Sequence, residues 1–324
     1  MKETLGFYPT PIHRLSHLEK EFGGLPIYVK RDDLTGLAFG GNKVRKLEYL
    51  MADAKKKGAD SVLTAGAAQS NHCRQTAAAA AKMGFECHLA LGGTPPPSEP
   101  PTGNLLLDYL LGAKIHWCGD SRKGETIPEI ETELKAKGKT PYIIPYGGSN
   151  AIGAMGFLAA YQELWNQIQT QNLSISHLFV ASSSGATQAG LILGNEIVDR
   201  PLKILGVPVD PSDDLNTWKA KILSLVSQLS ESQKRPMTIS PLEVGCVEMK
   251  IQNPYGQPST QEIEWIHHLA RLEGIFLDPV YTARAFVGMV EFLKNTSSVE
   301  GALFWHTGGV PTIFSYSNQL QKHD

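Results

Sequence analysis

The chain predicts an α/β protein built on parallel sheets and divided into two lobes. Three observations carry this. From residue 61 onward, short β-branched or apolar runs alternate with longer helical patterns, the sequence form of successive βαβ units. The 324 residues exceed what one compact domain usually holds. A hydrophobic fraction of 42% supplies a sizeable core, and no repeat or low-complexity tract interrupts the alternation.

Ser61 to Gly66 reads as a strand, a helix runs from near Ser70 to Met83, and Gly84 stops it before a second strand, Phe85 to Leu91. The loop Thr94 to Pro101 holds five prolines and is expected to be stiff and solvated. Leu105 to Leu111, Lys114 to Cys118, Thr126 to Lys137 and Tyr142 to Pro145 continue the alternation, and the small lobe is expected to close near residue 160. After Gly148-Ser149-Asn150 come a helix to about Gln169, the strand His177 to Ala181, a Gly/Ser/Thr loop and the helix Gln188 to Val198. Ile204 to Val209 and Ala302 to Trp305 are strand-like; Gln261 to Leu272 and Ala283 to Lys294 are helical by apolar spacing.

A formal charge of -2 offers no global attraction to nucleic acid or anionic lipid. No apolar run approaches a bilayer span, and Met1-Lys2-Glu3-Thr4 opens no secretory signal, so a cytoplasmic protein without membrane association is expected. Cys73, Cys87, Cys118 and Cys246 are scattered, which supports neither a disulfide framework nor a zinc site; no metal is expected.

Four segments carry chemistry. In Gly40-Gly41-Asn42-Lys43, the helical spacing of Leu47, Leu50, Met51 and Ala54 puts Lys43 at the first turn of an amphipathic helix. There the helix dipole, Arg45 and Lys46 disfavour a further ammonium charge and favour the free amine that Schiff-base chemistry needs, while Lys43 taken singly reads as a solvated lysine of a basic helix. Lys30, Lys46 and Lys55 are expected to be ordinary solvated lysines. Ser182-Ser183-Ser184-Gly185-Ala186-Thr187 follows a strand and opens a helix, so it suits either a phosphate cradle or an ordinary βα turn. It lacks the spacing of ATP or dinucleotide loops. Gln69-Ser70-Asn71-His72 places amide, hydroxyl and imidazole groups at one helix mouth, more polarity than a cap requires. Thr307, in His306-Thr307-Gly308-Gly309, falls at the carboxyl end of a strand, where ligands of parallel sheets bind. Tyr281, in Asp278-Pro279-Val280-Tyr281-Thr282, fits a core aromatic as well as a site residue, and His306 a packed as well as a catalytic histidine.

In order and together, Gly-Gly-Asn-Lys, Gln-Ser-Asn-His, Gly-Gly-Ser-Asn, the Ser/Gly/Thr loop, Asp-Pro-Val-Tyr and His-Thr-Gly-Gly resemble the motif series of the D-cysteine desulfhydrase and 1-aminocyclopropane-1-carboxylate deaminase family. Tyr8-Pro9-Thr10-Pro11 and Lys30-Arg31-Asp32-Asp33 are similar too. The resemblance implies a pyridoxal phosphate enzyme of fold type II with two open, twisted parallel-sheet domains, 1–50 with 161–324 as the large one and 51–160 as the small one, assembled as a homodimer. By the same resemblance Lys43 is the Schiff-base lysine, Asn71 bonds the pyridoxal hydroxyl, and Ser184, Gly185, Ala186 and Thr187 hold its phosphate. Thr307 and Thr282 would face the pyridine nitrogen. Ser70, with Asn71, His72, Tyr255 and Tyr281, would meet a small amino-acid substrate, with Lys43, Ser70 and Tyr281 as the catalytic residues.

The implied reaction is β-elimination, most simply D-cysteine to sulfide, pyruvate and ammonia, with Lys43 as base for the α-proton. Its nearest rival is the cyclopropane deaminase. That branch resembles Glu at position 282 and Leu at 307, where this chain has threonines. Elimination from D-serine derivatives or cysteate, and a non-catalytic cofactor-binding protein, are the remaining alternatives.

Overall fold

The computed structural model describes residues 1–321 except 96–99, 200–201, 211–213, 236, 238, 241–242 and 250–252, so the middle of the expected Pro-rich loop lies outside the described residues. Among the described residues ten strands form two sheets: β1 Ile12–Arg14, β2 Ile27–Arg31, β3 Ser61–Ala67, β4 Glu86–Gly92, β5 Lys114–Trp117, β6 Pro141–Ile143, β7 His177–Ser182, β8 Lys203–Pro208, β9 Gly245–Cys246 and β10 Ala302–His306. One sheet has the order β1-β2-β10-β7-β8-β9, the other β5-β4-β3-β6. Every pairing is parallel except β1 with β2. This is the α/β architecture expected from the alternation.

The sequence reading placed no strand before residue 61, yet β2 pairs with β10 inside the larger sheet, Lys30 opposite Trp305. Lys30 is fully buried, with its Nζ donating to Glu163 Oε1 at 2.5 Å and to the Thr10 carbonyl at 2.7 Å. A charged strand end looks solvated until its distant carboxylate is known, which corrects the expectation of a solvated Lys30.

Helix Lys43–Lys56 buries Val44, Leu47, Leu50, Met51 and Ala54 in the core beside the four-stranded sheet, with Val62, Leu89 and Leu91. Each fully buried Leu or Met is worth about 1.5–3 kcal/mol. A polar lock fixes its other side. Arg45 donates to both oxygens of Asp32 at 2.8 Å and to both oxygens of Glu163 at 2.9 and 3.0 Å, tying the helix to the turn after β2 and to helix Ala151–Gln171. Lys43 at the head of the helix is thereby held from two directions.

The carboxyl ends of β3, β7 and β10 open into the turns that hold Ser70, Ser183–Gly185 and Thr307–Gly309, where parallel α/β sheets bind ligands. Two of these segments cross almost in contact. Gly308 has φ +92°, and a Cβ there would stand 2.6 Å from Gly41 Cα, so glycine is required for the Thr307 turn to lie against the Lys43 turn.

Candidate active site

A narrow cleft, open to solvent, lies between the two sheets. Lys43, Ser70, Asn71, His72, Ser184, Gly185, Thr187, Tyr281 and Thr307 all line it, with Asn42, Tyr146, Ser182 and Gly308 among the others. Segments more than 200 residues apart in sequence therefore meet at one place, on the loops that the sheet ends position.

Lys43 is half-buried, its Nζ donating to Asn42 Oδ1 at 3.3 Å. Burial lowers its pKa to about 8 against the opposing pull of Asp278. The lowering expected from the helix dipole, Arg45 and Lys46 comes instead from desolvation, and neither cation is among its causes. Asn42 does not cap its helix; its Nδ2 donates to Thr187 Oγ1 at 3.2 Å, and its backbone N–H to the Thr307 carbonyl at 2.9 Å. The lysine turn is thus tied to two further cleft segments.

Ser70 caps helix Asn71–Met83, accepting the Cys73 N–H on Oγ at 3.2 Å. Asn71 Oδ1 accepts from Asn104 Nδ2 at 2.8 Å and from the Thr312 hydroxyl at 3.2 Å, so its Nδ2 is what it can offer to a ligand. Thr64 gives its hydroxyl proton to the Ile144 carbonyl, so its oxygen must accept from His72 Nε2, 2.9 Å away. His72 Nδ1 is left bare, buried and without a partner; burial, then Lys43 and Lys46, hold the ring neutral.

The turn after β7 leads into helix Ala186–Ile197, whose N-cap Gly185 has φ +91° and supplies no side-chain cap, leaving the first N–H groups without helical acceptors. Ser182 Oγ, which also lines the cleft, is buried without a partner. Across this turn, Ser149 Oγ donates to Ser184 Oγ at 2.6 Å. A Cβ on Gly147, φ +64°, would come within 2.5 Å of that same serine oxygen.

Residues 3–308 match the family model of pyridoxal-phosphate-dependent enzymes. The chain belongs to that family. A D-cysteine desulfhydrase of Yersinia enterocolitica is 39% identical over 96% of this chain and 94% of its own. A Pyrococcus abyssi protein provisionally named 1-aminocyclopropane-1-carboxylate deaminase is 39% identical over 98% and 94%. A solved structure described as an ACC deaminase homologue superposes with a TM-score of 0.89 at 37% identity, covering 98% of this chain and 95% of that one. The resemblance drawn from the motif series holds, and so does the fold type.

As a member of the pyridoxal-phosphate-dependent family, the protein is an enzyme whose cofactor is pyridoxal phosphate. The cleft fits that group chemically. A desolvated amine suits its aldehyde, uncapped N–H groups and the orphaned Ser182 hydroxyl suit its phosphate, and the Asn71 amide suits its phenolic oxygen.

Three expected residues are not among those lining the cleft. Ala186, expected with the phosphate residues, is fully buried as the first residue of helix Ala186–Ile197. Thr282 is not among the cleft-lining residues: its hydroxyl donates to Asp278 Oδ1 at 2.7 Å and accepts the Asp278 N–H at 2.6 Å, and the side chain is fully buried. It closes the turn that presents Tyr281. Tyr255 reaches the cleft only through Tyr281, the two hydroxyls sharing a short hydrogen bond. His306 is a packing residue. Its Nε2 faces the Phe276 carbonyl at 2.8 Å and its Nδ1 accepts the Gly308 N–H at 3.1 Å, committing both nitrogens.

Sequence reasoning passed over Lys46, Tyr146 and Asp278. Lys46, expected to be solvated, is 1% exposed, its Nζ donating only to the Gly147 carbonyl at 3.1 Å; burial and the charge of Lys43 push its pKa far down. Its position three residues after Lys43, on the same helix face, was the available signal. Asp278 accepts the N–H groups of Val280, Tyr281 and Thr282 and is the buried anchor of the Tyr281 turn, with its own pKa raised by burial.

Proposed function

We propose that the enzyme is a carbon–sulfur lyase acting on D-cysteine, releasing sulfide, pyruvate and ammonia. The observation that carries this is the polar lining of the cleft, which among the described residues offers hydroxyls, amides and imidazole but no carboxylate. Lys43 would hold the cofactor's aldehyde carbon, Ser184 to Thr187 its phosphate, Asn71 its phenolic oxygen, and Thr307 its ring nitrogen. Bound there, pyridoxal phosphate supplies an electron sink for the substrate's α-carbon. A threonine hydroxyl does not enforce protonation of the ring nitrogen as a carboxylate does, and weak electron withdrawal suits a substrate whose β-sulfur leaves readily. Thr282 acts in this reading through Asp278 and Tyr281.

Substrate carboxylate is taken up by Ser70 and the N–H groups at the start of helix Asn71–Met83, with His72 Nδ1 available to accept a hydrogen bond from the substrate or an ordered water. Lys43 Nζ, desolvated and held beside the α-carbon, removes the α-proton. Tyr281 faces the departing sulfur. The relatives carrying the name D-cysteine desulfhydrase support the same reading.

Direct kinetics decide between this and ring opening. The holoenzyme is expected to release sulfide and pyruvate from D-cysteine and to form 2-oxobutanoate from 1-aminocyclopropane-1-carboxylate much more slowly. A higher kcat/KM for the cyclopropane reverses the assignment.

The enzyme is proposed to work in the cytoplasm as a homodimer of two-domain protomers, with 51–160 as the small domain. Among the described residues no helix is long and apolar enough to cross a membrane. Leu110 and Phe314 are each more than about 60% exposed, and they lie on helix Gly103–Leu110 and the turn Val310–Tyr316, which pack together and present apolar surface of the kind a second copy would cover.

A further inference from the structure

Arg122 belongs to neither the cofactor residues nor the substrate residues above. It stands between β5 and helix Ile127–Ala136, on the side of the four-stranded sheet, and reaches across the cleft. Its Nη2 donates to Asp210 Oδ2 at 2.9 Å, just beyond β8 of the other sheet, and its Nη1 donates to Tyr146 Oη at 3.2 Å. The guanidinium carbon lies 4.3 Å from the centroid of the Tyr255 ring. Tyr255 and Tyr281 meet edge to face, ring centroids 5.9 Å apart, with their hydroxyls hydrogen-bonded to each other. Arg122 is thus the outer end of a line that runs through Tyr255 to Tyr281, inside the cleft.

The hydroxyl pair has two possible directions, since either oxygen can donate. A cation against the face of one phenol stabilises negative charge on that phenol, making it the better donor and the poorer acceptor. Arg122 sits over Tyr255, so Tyr255 donates and Tyr281 accepts. The proton of Tyr281 is then left for the cleft.

We propose that Arg122 is a positioning residue that sets the direction of the Tyr255–Tyr281 pair and so presents the Tyr281 proton to the group leaving the substrate's β-carbon. This rests on the lyase reading above. As the Cβ–S bond breaks, its electron pair goes to sulfur. Tyr281 Oη gives sulfur its proton and takes that of Tyr255, and the phenolate left on Tyr255 lies beside the Arg122 cation until solvent water returns a proton. The ion pair with Asp210 holds the guanidinium in place and joins the two sides of the cleft over the substrate.

The test uses the holoenzyme with D-cysteine and with β-chloro-D-alanine, whose chloride departs without a proton. Arg122→Gln is expected to lower kcat on D-cysteine about tenfold, with KM and the chloro substrate changed by less than about twofold, and Arg122→Lys to restore part of the loss. Equal loss on both substrates, a change confined to KM, or no change overturns the proposal. Should the wild-type enzyme turn over neither compound, the lyase reading falls separately, and amide hydrogen exchange over residues 253–257 decides the placement of Arg122. Faster exchange in Arg122→Gln then supports its hold on Tyr255, and unchanged exchange overturns it.

Discussion

Lys43, Arg45 and Lys46 lie within one turn of the same helix, Lys43 half-buried and the other two buried, yet the protein treats their charges in opposite ways. Arg45 faces Asp32 and Glu163, which meet it with four hydrogen bonds from 2.8 to 3.0 Å, and these partners raise its pKa against burial. Lys43 and Lys46 face the cleft side with one neutral acceptor each, Asn42 Oδ1 and the Gly147 carbonyl, and burial lowers both. One cation is compensated and holds the helix; two amines are desolvated and shifted toward their neutral form. The contrast shows how a single helix serves as scaffold on one side and as a source of nucleophile on the other.

The largest expected effect breaks the scaffold side. Arg45→Met removes the one cation that both Asp32 and the Glu163 oxygens share, and leaves a fully buried Asp32 facing the Thr10 hydroxyl alone. Removing one partner of a buried ion pair costs about 3–5 kcal/mol, so urea unfolding of the apoprotein should show a loss of that size. A loss below about 1 kcal/mol would mean that Lys30, already on Glu163, is sufficient counter-charge and that the helix is held by its apolar face.

The same contrast explains what was legible in the sequence. The strands β3, β4, β7 and β10 announce themselves because their apolar or β-branched runs are bounded by turn residues, and the motif series located Lys43, Ser70 and the β7 turn because glycines and small polar residues mark places where backbone meets ligand. Lys30 and Arg45 carry no local sign of burial, and Lys46 carries only its place on the helix face of Lys43. Their burial depends on Glu163, Asp32 and Gly147, up to 133 residues away in the chain. Strand β2 was missed for that reason, since its lysine and arginine end looked like solvated surface. The inward turn of Thr282 onto Asp278 was equally hidden, because a threonine after a tyrosine at a helix start can face either way.

A smaller effect sharpens the amine side. If burial holds Lys43 near a pKa of about 8, its free fraction rises with pH and is nearly complete by pH 9. The rate at which apoprotein takes up pyridoxal phosphate covalently should therefore climb roughly tenfold between pH 7 and 9 and flatten above that. An ordinary lysine would give a rise of about a hundredfold over the same interval with no plateau. Stopped-flow absorbance distinguishes the two curves, and a hundredfold unsaturated rise would show that the amine is solvated before the cofactor arrives.

The smallest effect concerns Lys46, and it separates the two sides of the helix most directly. Lys46→Met is close to isosteric, keeps the aliphatic stem packed, and removes an amine whose charged form burial already disfavours. What it gives up is a single hydrogen bond to the Gly147 carbonyl, worth about 1 kcal/mol. What it gains is relief from burying a polar group with one partner, which is of similar size and opposite sign. The apoprotein should unfold within about 1 kcal/mol of wild type, although the position is as buried as Arg45 and carries the same formal charge in the sequence. The apoprotein is the right state for the measurement because cofactor binding would add its own stabilisation to both curves. A loss of 3 kcal/mol or more, about that of Arg45→Met, would mean that Lys46 is charged in the folded protein and held by an anion, and the division of the helix into a compensated and a desolvated side would fail.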